Sequence, residues 1–341
     1  MANYQNIRLD KTMYKAGVPF SDQLEKLDPS AAYAGTELAG LDAFQRQLKR
    51  FDIRVSGPKS DSIAKFFGTS DSAALFPEYV ARAVLQGMDE SAVIQSIIAS
   101  KTVINSLDYR TITTADGHDV SASVVAEGAA IPETVIKLKD NLVRLTKRGR
   151  MLVASYEAVK FQRIDLFSIT LKQIGAYISR MLVEDAIGVL IGGDGNDNAA
   201  DTYQVGTSPI GGTSGTLDYD ALVDFWAQFE PYELNTLLVP SGVMVDMLKM
   251  TEFQNPLTGL NFQGTGRLTT PLGAKLLRTS AMDSGKLIGL DKRYALEMVQ
   301  SGDRVMVEYD KLIDRQLERA AITTICGFAK IFKDAAKVLT V

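Results

Sequence analysis

The longest regular pattern in the chain lies near its middle, where Ile164, Phe167, Leu171, Ile174, Ile178 and Met181 recur at steps of three and four residues. That period is helical, and Arg163, Lys172, Arg180 and Glu184 fall between the apolar positions. Run to about Leu190, such a helix is about 40 Å long. It stops at Gly192-Gly193-Asp194-Gly195, since glycine readily takes the left-handed turn that ends a helix. The register breaks at Asp185, short of four clean heptads, which favours a strut buried along one stripe over a coiled coil.

The flanking segments read differently. Residues 1–75 are punctuated by Gly17, Pro19, Pro29, Gly35, Gly57, Pro58 and Gly68, so a loosely structured arm is expected. One amphipathic helix interrupts it. Leu38, Leu41, Phe44, Leu48 and Phe51 form its apolar side, with Gln45, Arg46, Gln47 and Lys49 on the other. Phe76-Pro77-Glu78 opens a helical region carrying Val80, Val84 and Leu85, and Val93, Ile94, Ile97 and Ile98 follow.

From Thr102 the pattern becomes extended. Val103, Ile112, Val120, Val124 and Val125 stand among Thr, Ser and Asp, and Asp116-Gly117 is a hairpin-turn dipeptide. An alternating segment then runs from Val135 to Val153. An isolated two-stranded ribbon is marginal in water, so this one is expected to lie on a neighbouring molecule.

Past the long helix come a polar loop over 195–216 and an amphipathic helix from Leu217 to Phe229, capped by Asp218. Leu237–Val239 reads as a buried strand, with a helix from Ser241 to Leu248 after it. Further strands are expected at Lys275–Arg278, Leu287–Leu290, Val305–Tyr309, Ile322–Ile325 and Lys337–Val341. The irregular mixture indicates an α+β fold, without the β-α alternation of a Rossmann sheet or barrel.

Composition narrows the function. Of the 341 residues 46% are hydrophobic, enough for real cores, and the net charge is -4. A protein built to neutralise nucleic-acid phosphates carries a basic excess, so no sequence-specific nucleic-acid role is expected. The single Cys326 lies in an apolar run and reads as a packed thiol. With His118 the only histidine, a zinc site is not expected, nor is any other metal or cofactor. Met1–Asp10 lacks the apolar core of a signal peptide, and Ala186–Ile191 is far too short to span a bilayer. The expectation is a soluble protein made in the cytoplasm, with no membrane partner.

The candidate motifs are mostly discounted. Gly192–Asn198 lacks the lysine of a phosphate loop, and Val205 stands where a calcium loop needs its distal glutamate; a solvated connector is the better reading. No Gly-x-Ser-x-Gly element occurs, and His118 lies at a ribbon turn, poor support for a triad. Glu127 and Glu133 form either a carboxylate pair or an interface contact. Lys137, Lys139, Arg144, Lys147, Arg148 and Arg150 form the densest charge cluster. Alternation is expected to put them on one strand face. No aromatic residue interleaves them, so pairing with carboxylates on a neighbouring subunit is favoured over phosphate binding.

Taken in order, Val125-Ala126-Glu127-Gly128-Ala129 with Pro132-Glu133, the long helix ending in Gly-Gly-Asp-Gly, Leu238-Val239-Pro240 heading a helix, and the final strands resemble the tailed-phage major capsid proteins of HK97 fold. The resemblance covers about residues 76–341. It implies an N-terminal arm over 1–75, a peripheral domain beginning over 76–101, and an extended E-loop over 102–140. The peripheral domain would continue over 141–191, with a spine helix from about Tyr156 to Ile191. An axial domain over 192–302, a peripheral return over 303–329 and an axial strand over 330–341 would complete the chain.

The resemblance further implies hexamers and pentamers closing an icosahedral shell around double-stranded DNA, with a portal and a possible decoration protein as partners. Glu127, Glu133, Lys137, Lys139, Arg144, Lys147 and Arg148 are the expected intersubunit contacts. Members that crosslink use an E-loop lysine with a peripheral-domain asparagine and glutamate. Here Gly128 stands at the lysine place, no Asn follows Asn261 and no Glu follows Glu318, so no covalent crosslinking is expected. The short N-terminal segment implies a separate scaffolding protein. The alternatives are an encapsulin-type compartment enclosing cargo enzymes, told apart by neighbouring genes, and a soluble enzyme, told apart by a stable monomer.

Overall fold

The computed structural model describes residues 4–14, 18–90, 93–106, 108–114, 125, 127, 136–254, 272–302 and 304–341. Among these the helices are α1 (Phe20–Leu27), α2 (Ala43–Arg50), α3 (Ser70–Ala73), α4 (Phe76–Glu90), α5 (Val93–Ile97), α6 (Tyr156–Phe161), α7 (Ile164–Gly192), α8 (Tyr219–Ala227), α9 (Ser241–Lys249) and α10 (Thr251–Gln254). The strands are β1 (Ser100–Ile104), β2 (Ile112–Thr114), β3 (Ile136–Leu138), β4 (Thr146–Ser155), β5 (Asp201–Gln204), β6 (Thr236–Pro240), β7 (Lys275–Thr279), β8 (Lys286–Leu290), β9 (Leu296–Ser301), β10 (Met306–Leu312), β11 (Leu317–Lys330) and β12 (Ala336–Thr340). The α+β class follows the sequence pattern. Among the described residues no helix is long and apolar enough to cross a membrane.

The chain divides into two compact units. The first comprises Met1–Ala92, Thr146–Met181 and Gln300–Cys326. Here β11 pairs antiparallel with β10 on one side and β4 on the other, with Ala321 opposite both Glu308 and Met151. An aromatic cluster fills the core: Phe76 lies against Phe66, Phe167 and Tyr309, with ring centroids 5.5–6.1 Å apart. The helices α4 and α7 touch backbone to backbone. A Cβ at Gly87 would lie 2.0 Å from the Lys172 carbonyl oxygen, and one at Gly175 would lie 2.1 Å from that of Val84. No side chain larger than hydrogen fits this crossing.

Two expectations are corrected here. The described part of residues 1–75 is not loosely structured. It buries Leu9, Phe20, Leu24, Tyr33, Phe44, Leu48, Ile53, Ile63 and Phe66, and the helix expected from Leu38 begins only at Ala43, where Asp42 and Gln45 form a capping box. Arg46 and Gln47, placed by the sequence pattern on a solvated face, are fully buried. The Arg46 guanidinium donates to the Asp28 carboxylate at 2.5 Å, to Ser30 Oγ at 3.0 Å and to the Leu41 carbonyl, and lies 4.4 Å over the Tyr33 ring. Five donors on a rigid fork can meet that many partners, so the charge is tolerated inside. The second correction concerns the helix expected from Tyr156 to Ile191. It is interrupted at Gln162, whose extended backbone (φ -69°, ψ 132°) accepts from the Ile63 N–H, while Arg163 bridges Ser62.

The second unit comprises Val93–Leu145, Leu182–Val299 and Gly327–Val341. Its sheet runs β5-β12-β8-β6-β7, parallel at β5/β12 and β6/β7 and antiparallel between. Strand β6 is buried throughout, which explains its unbroken apolar run. Helix α8 starts where expected, with the Asp218 carboxylate accepting from Ala221 N at 2.8 Å, and packs Leu222 and Phe225 onto the sheet. At Gly289 a Cβ would lie 2.7–2.8 Å from Leu234, Phe225 and Phe229, so the two phenylalanines sit directly on the strand backbone. Strand β9 lies between β1 and the end of β11.

A candidate assembly surface

The extended segment predicted from Thr102 forms, over its described part, a two-stranded ribbon in the second unit. Its register pairs Ile112 with Leu138, Thr113 with Lys137 and Thr114 with Ile136. Side chains alternate along a strand, so Ile112, Ile136 and Leu138 share one face and Lys137 projects from the other. The three apolar residues are 53%, 67% and 62% exposed. Burying each contributes about 1.5–3 kcal/mol. The free protomer leaves that unrealised.

Below the ribbon, both arms are anchored in a polar root. The backbone ladder continues through Lys139 N to Thr111 O at 2.9 Å and Val143 N to Tyr109 O at 2.8 Å. Val143 packs with Val299 and Ala329. Glu297, an acid buried in the apolar strand β9, accepts three hydroxyl hydrogen bonds: from Thr102 at 2.5 Å, Tyr109 at 2.6 Å and Thr111 at 2.5 Å. Short O–H···O⁻ bonds of this kind are roughly twice as strong as neutral ones. Burial, with the Glu297 charge beside it, raises the Tyr109 phenol above its usual pKa.

The returning arm is held by the loop over 192–198. Lys139 is buried, and its ammonium donates to the Lys330 carbonyl and to Asp194 Oδ2, the latter at 3.4 Å. Asp194 Oδ2 also accepts from Lys330 N at 3.0 Å, and Oδ1 from Asn196 Nδ2 at 2.8 Å. Asn141 N donates to Asn196 Oδ1 at 2.9 Å and its side chain to the Gly195 carbonyl. Gly193 allows this folding: it sits at φ 79°, and a Cβ there would lie 2.6 Å from Asn198 Oδ1. Burial pushes the Lys139 ammonium below its usual pKa, with Asp194 pulling the other way.

Several expectations change. The loop over 192–198 is no mere solvated connector, since Asn198 is buried and the Asp194 carboxylate is 3% exposed. Lys139, expected as an intersubunit contact, places its charge inside its own chain. The basic cluster does not share one face either. Lys147 and Arg148 are consecutive in β4 and point oppositely, Lys147 exposed and Arg148 half-buried. Lys137, Arg144 and Arg150 are exposed. Glu127 is exposed, while Glu133, Gly128, His118 and the Asp116-Gly117 turn lie outside the described residues.

Sequence reasoning missed Glu297, Asp194 and Lys330. The available signal was a lone charge inside an apolar strand, as in Leu296-Glu297-Met298-Val299 and Phe328-Ala329-Lys330-Ile331, because a buried charge needs a partner. In the first unit, β4 presents Met151 and Val153 outward and β10 presents Met306, all exposed.

The sequence model of the phage capsid protein family matches residues 139–316, more than half of the 341 residues. No curated protein sequence matches the chain. Among solved structures, the capsid of a native GTA particle is similar at 17% identity, covering 73% of this chain and 90% of that one with a TM-score of 0.53. The chain of Microbacterium phage Oxtober96 is similar at 10% identity, covering 73% and 90% with a TM-score of 0.52. A virus-like particle from Pyrococcus furiosus is similar at 13% identity, covering 77% and 98% with a TM-score of 0.50. At such identities the likeness is one of fold, and the matched family supplies the rest. The chain belongs to the phage capsid protein family and has the HK97 fold of tailed-phage major capsid proteins.

Proposed function

We propose that copies of this protein assemble into the hexamers and pentamers of an icosahedral shell that encloses double-stranded DNA, held together without covalent crosslinks. The observation that carries the reading is the ribbon's exposed face of Ile112, Ile136 and Leu138, an apolar surface that a lone protomer leaves in water. A second copy is the natural cover. Its outward Met151, Val153 and Met306 offer apolar contacts on a face that also carries Arg319 and Asp310, and the exposed Lys137, Arg144 and Lys147, with Arg148, supply charges for neighbouring carboxylates. Glu127 and Glu133 take the same contact role in this reading.

The peripheral and axial domain boundaries given above belong to this reading. So do assembly in the host cytoplasm, a portal, a separate scaffolding protein and a decoration protein as partners. Net charge of -4 fits a wall that surrounds DNA without reading its sequence. The test is electron microscopy of the purified protein beside Ile136→Asp. The native chain is expected to give capsomers and the variant dispersed protomers; uniform closed shells from the native chain alone would sink the separate scaffolding protein. Equal assembly by both sinks the ribbon contact, and a native chain that stays monomeric sinks the whole reading. Denaturing gels of assembled particles should show one band at the protomer mass; a ladder overturns the absence of crosslinks.

A further inference from the structure

We propose that Glu297 and Lys139 are positioning residues that aim the ribbon, fixing the direction in which its apolar face leaves the second unit. This rests on the reading that the ribbon meets a neighbouring copy.

The ribbon's direction is set at its root. Among the described residues β2 and β3 pair over three residues each, and a two-stranded ribbon is marginal by itself. Its apolar side chains are exposed, so they do not tether it to its own chain. Orientation must come from below. There the two arms are gripped by opposite charges. The outgoing arm gives three hydroxyls, from Thr102, Tyr109 and Thr111, to the one carboxylate of Glu297. The returning arm gives an ammonium, Lys139, to Asp194 and the Lys330 carbonyl.

Each grip is buried, so neither charge can exchange its partners for water at low cost. Glu297 stands on strand β9, and Asp194 on the loop after α7 is tied through Lys330 N to the neighbouring strand β11, so both arms are pinned to one sheet. A ribbon held at one arm pivots; held at both arms, it has one direction. An aimed ribbon also loses less orientational freedom when a neighbour docks on it.

The test uses the full chain with nitroxide labels at Ile136→Cys on the ribbon and Lys292→Cys on the exposed surface of the same unit, with the buried Cys326 replaced by Ala. Pulsed dipolar spectroscopy is run at a dilution where protomers are dissociated. The native background should give one narrow distance distribution. Glu297→Gln and Lys139→Met should each broaden it about twofold or more. Thr111→Val, which removes one hydroxyl at constant shape, should broaden it less, and Thr111→Ser should restore it. That rescue is the readout that a general loss of stability would not produce.

Distributions as narrow as the native one in Glu297→Gln and Lys139→Met overturn the proposal. If either charge variant fails to fold, equal widths for Thr111→Val and Thr111→Ser overturn it instead. A narrow native distribution in a protein that never forms capsomers leaves the clamp standing and removes the functional reading.

Discussion

Gly175→Ala, a change of one methyl group in the middle of α7, should destabilise the protein although alanine is the better helix former. The magnitude follows from the crossing with α4. The added Cβ would lie 2.1 Å from the Val84 carbonyl oxygen and 3.0 Å from Met88 N, whereas a close C···O contact is about 3.3 Å. The obstructing atoms are backbone and cannot swing aside, so the helices must part by about 1 Å along a packed interface. Overpacking of this kind costs about 1–3 kcal/mol, at times more. The intrinsic gain of Gly→Ala in a helix is about 1 kcal/mol in the other direction. With a backbone-to-backbone clash the cost lies at the upper end, leaving a net loss of about 2 kcal/mol.

Gly188 is the internal control. It lies in the same helix, is exposed, and has nothing within 4 Å of its would-be Cβ, so Gly188→Ala should gain about 1 kcal/mol. Urea unfolding followed by far-UV circular dichroism, on dilute protomers, measures both. If the two variants shift stability in the same direction and by similar amounts, the close approach of α4 and α7 is wrong.

Other consequences follow the same logic. Arg46→Ala strands the buried Asp28 carboxylate and should cost about 3–5 kcal/mol, read as an earlier urea midpoint, with Arg46→Lys recovering part of it. Gly289→Ala drives a methyl group into Phe225, Phe229 and Leu234 and should cost about 1–3 kcal/mol, visible as a lower melting temperature; an unchanged one would mean the rings sit elsewhere. Burial pushes the Lys330 ammonium from 10.5 down to about 8, a depression worth about 3 kcal/mol. Between pH 8 and 10 the unfolded chain then binds more protons than the folded one, so stability should rise with pH across that window. Lys330→Met should lessen the rise and be the more stable chain at pH 7; equal slopes of unfolding free energy for the two chains from pH 8 to 10 contradict the burial.

Much of the fold was legible because burial leaves a local mark on its elements. The apolar stripe of α7, the Asp218 cap of α8 and the unbroken run of β6 each carry a period or a stop signal in a short stretch of sequence. The interruption at Gln162 carries none, because it is made by Ser62 and Ile63, a hundred residues away. The N-terminal segment misled for a related reason. Arg46 and Gln47 look like a solvated face until Asp28 and Ser30 are seen to fold back onto them, and no local pattern announces a buried ion pair.

The ribbon itself was legible as extended chain over its described part. Its root was not. Glu297 stands far along the chain from the hydroxyls it gathers, and Lys139 could not be told from its exposed neighbours by charge alone. Glycine at 193, read as punctuation after a helix, turned out to fold the loop that receives Asn141 and leaves Asp194 to Lys139.

The most direct measurement is cryo-electron microscopy of the purified full-length protein, with its assembled particles reconstructed. The account predicts closed shells or free capsomers of five and six copies, in which Ile112, Ile136 and Leu138 of each copy are covered by the next. A stable monomer across the concentrations and salts that assemble capsids, or a shell in which that face remains in solvent, would contradict it.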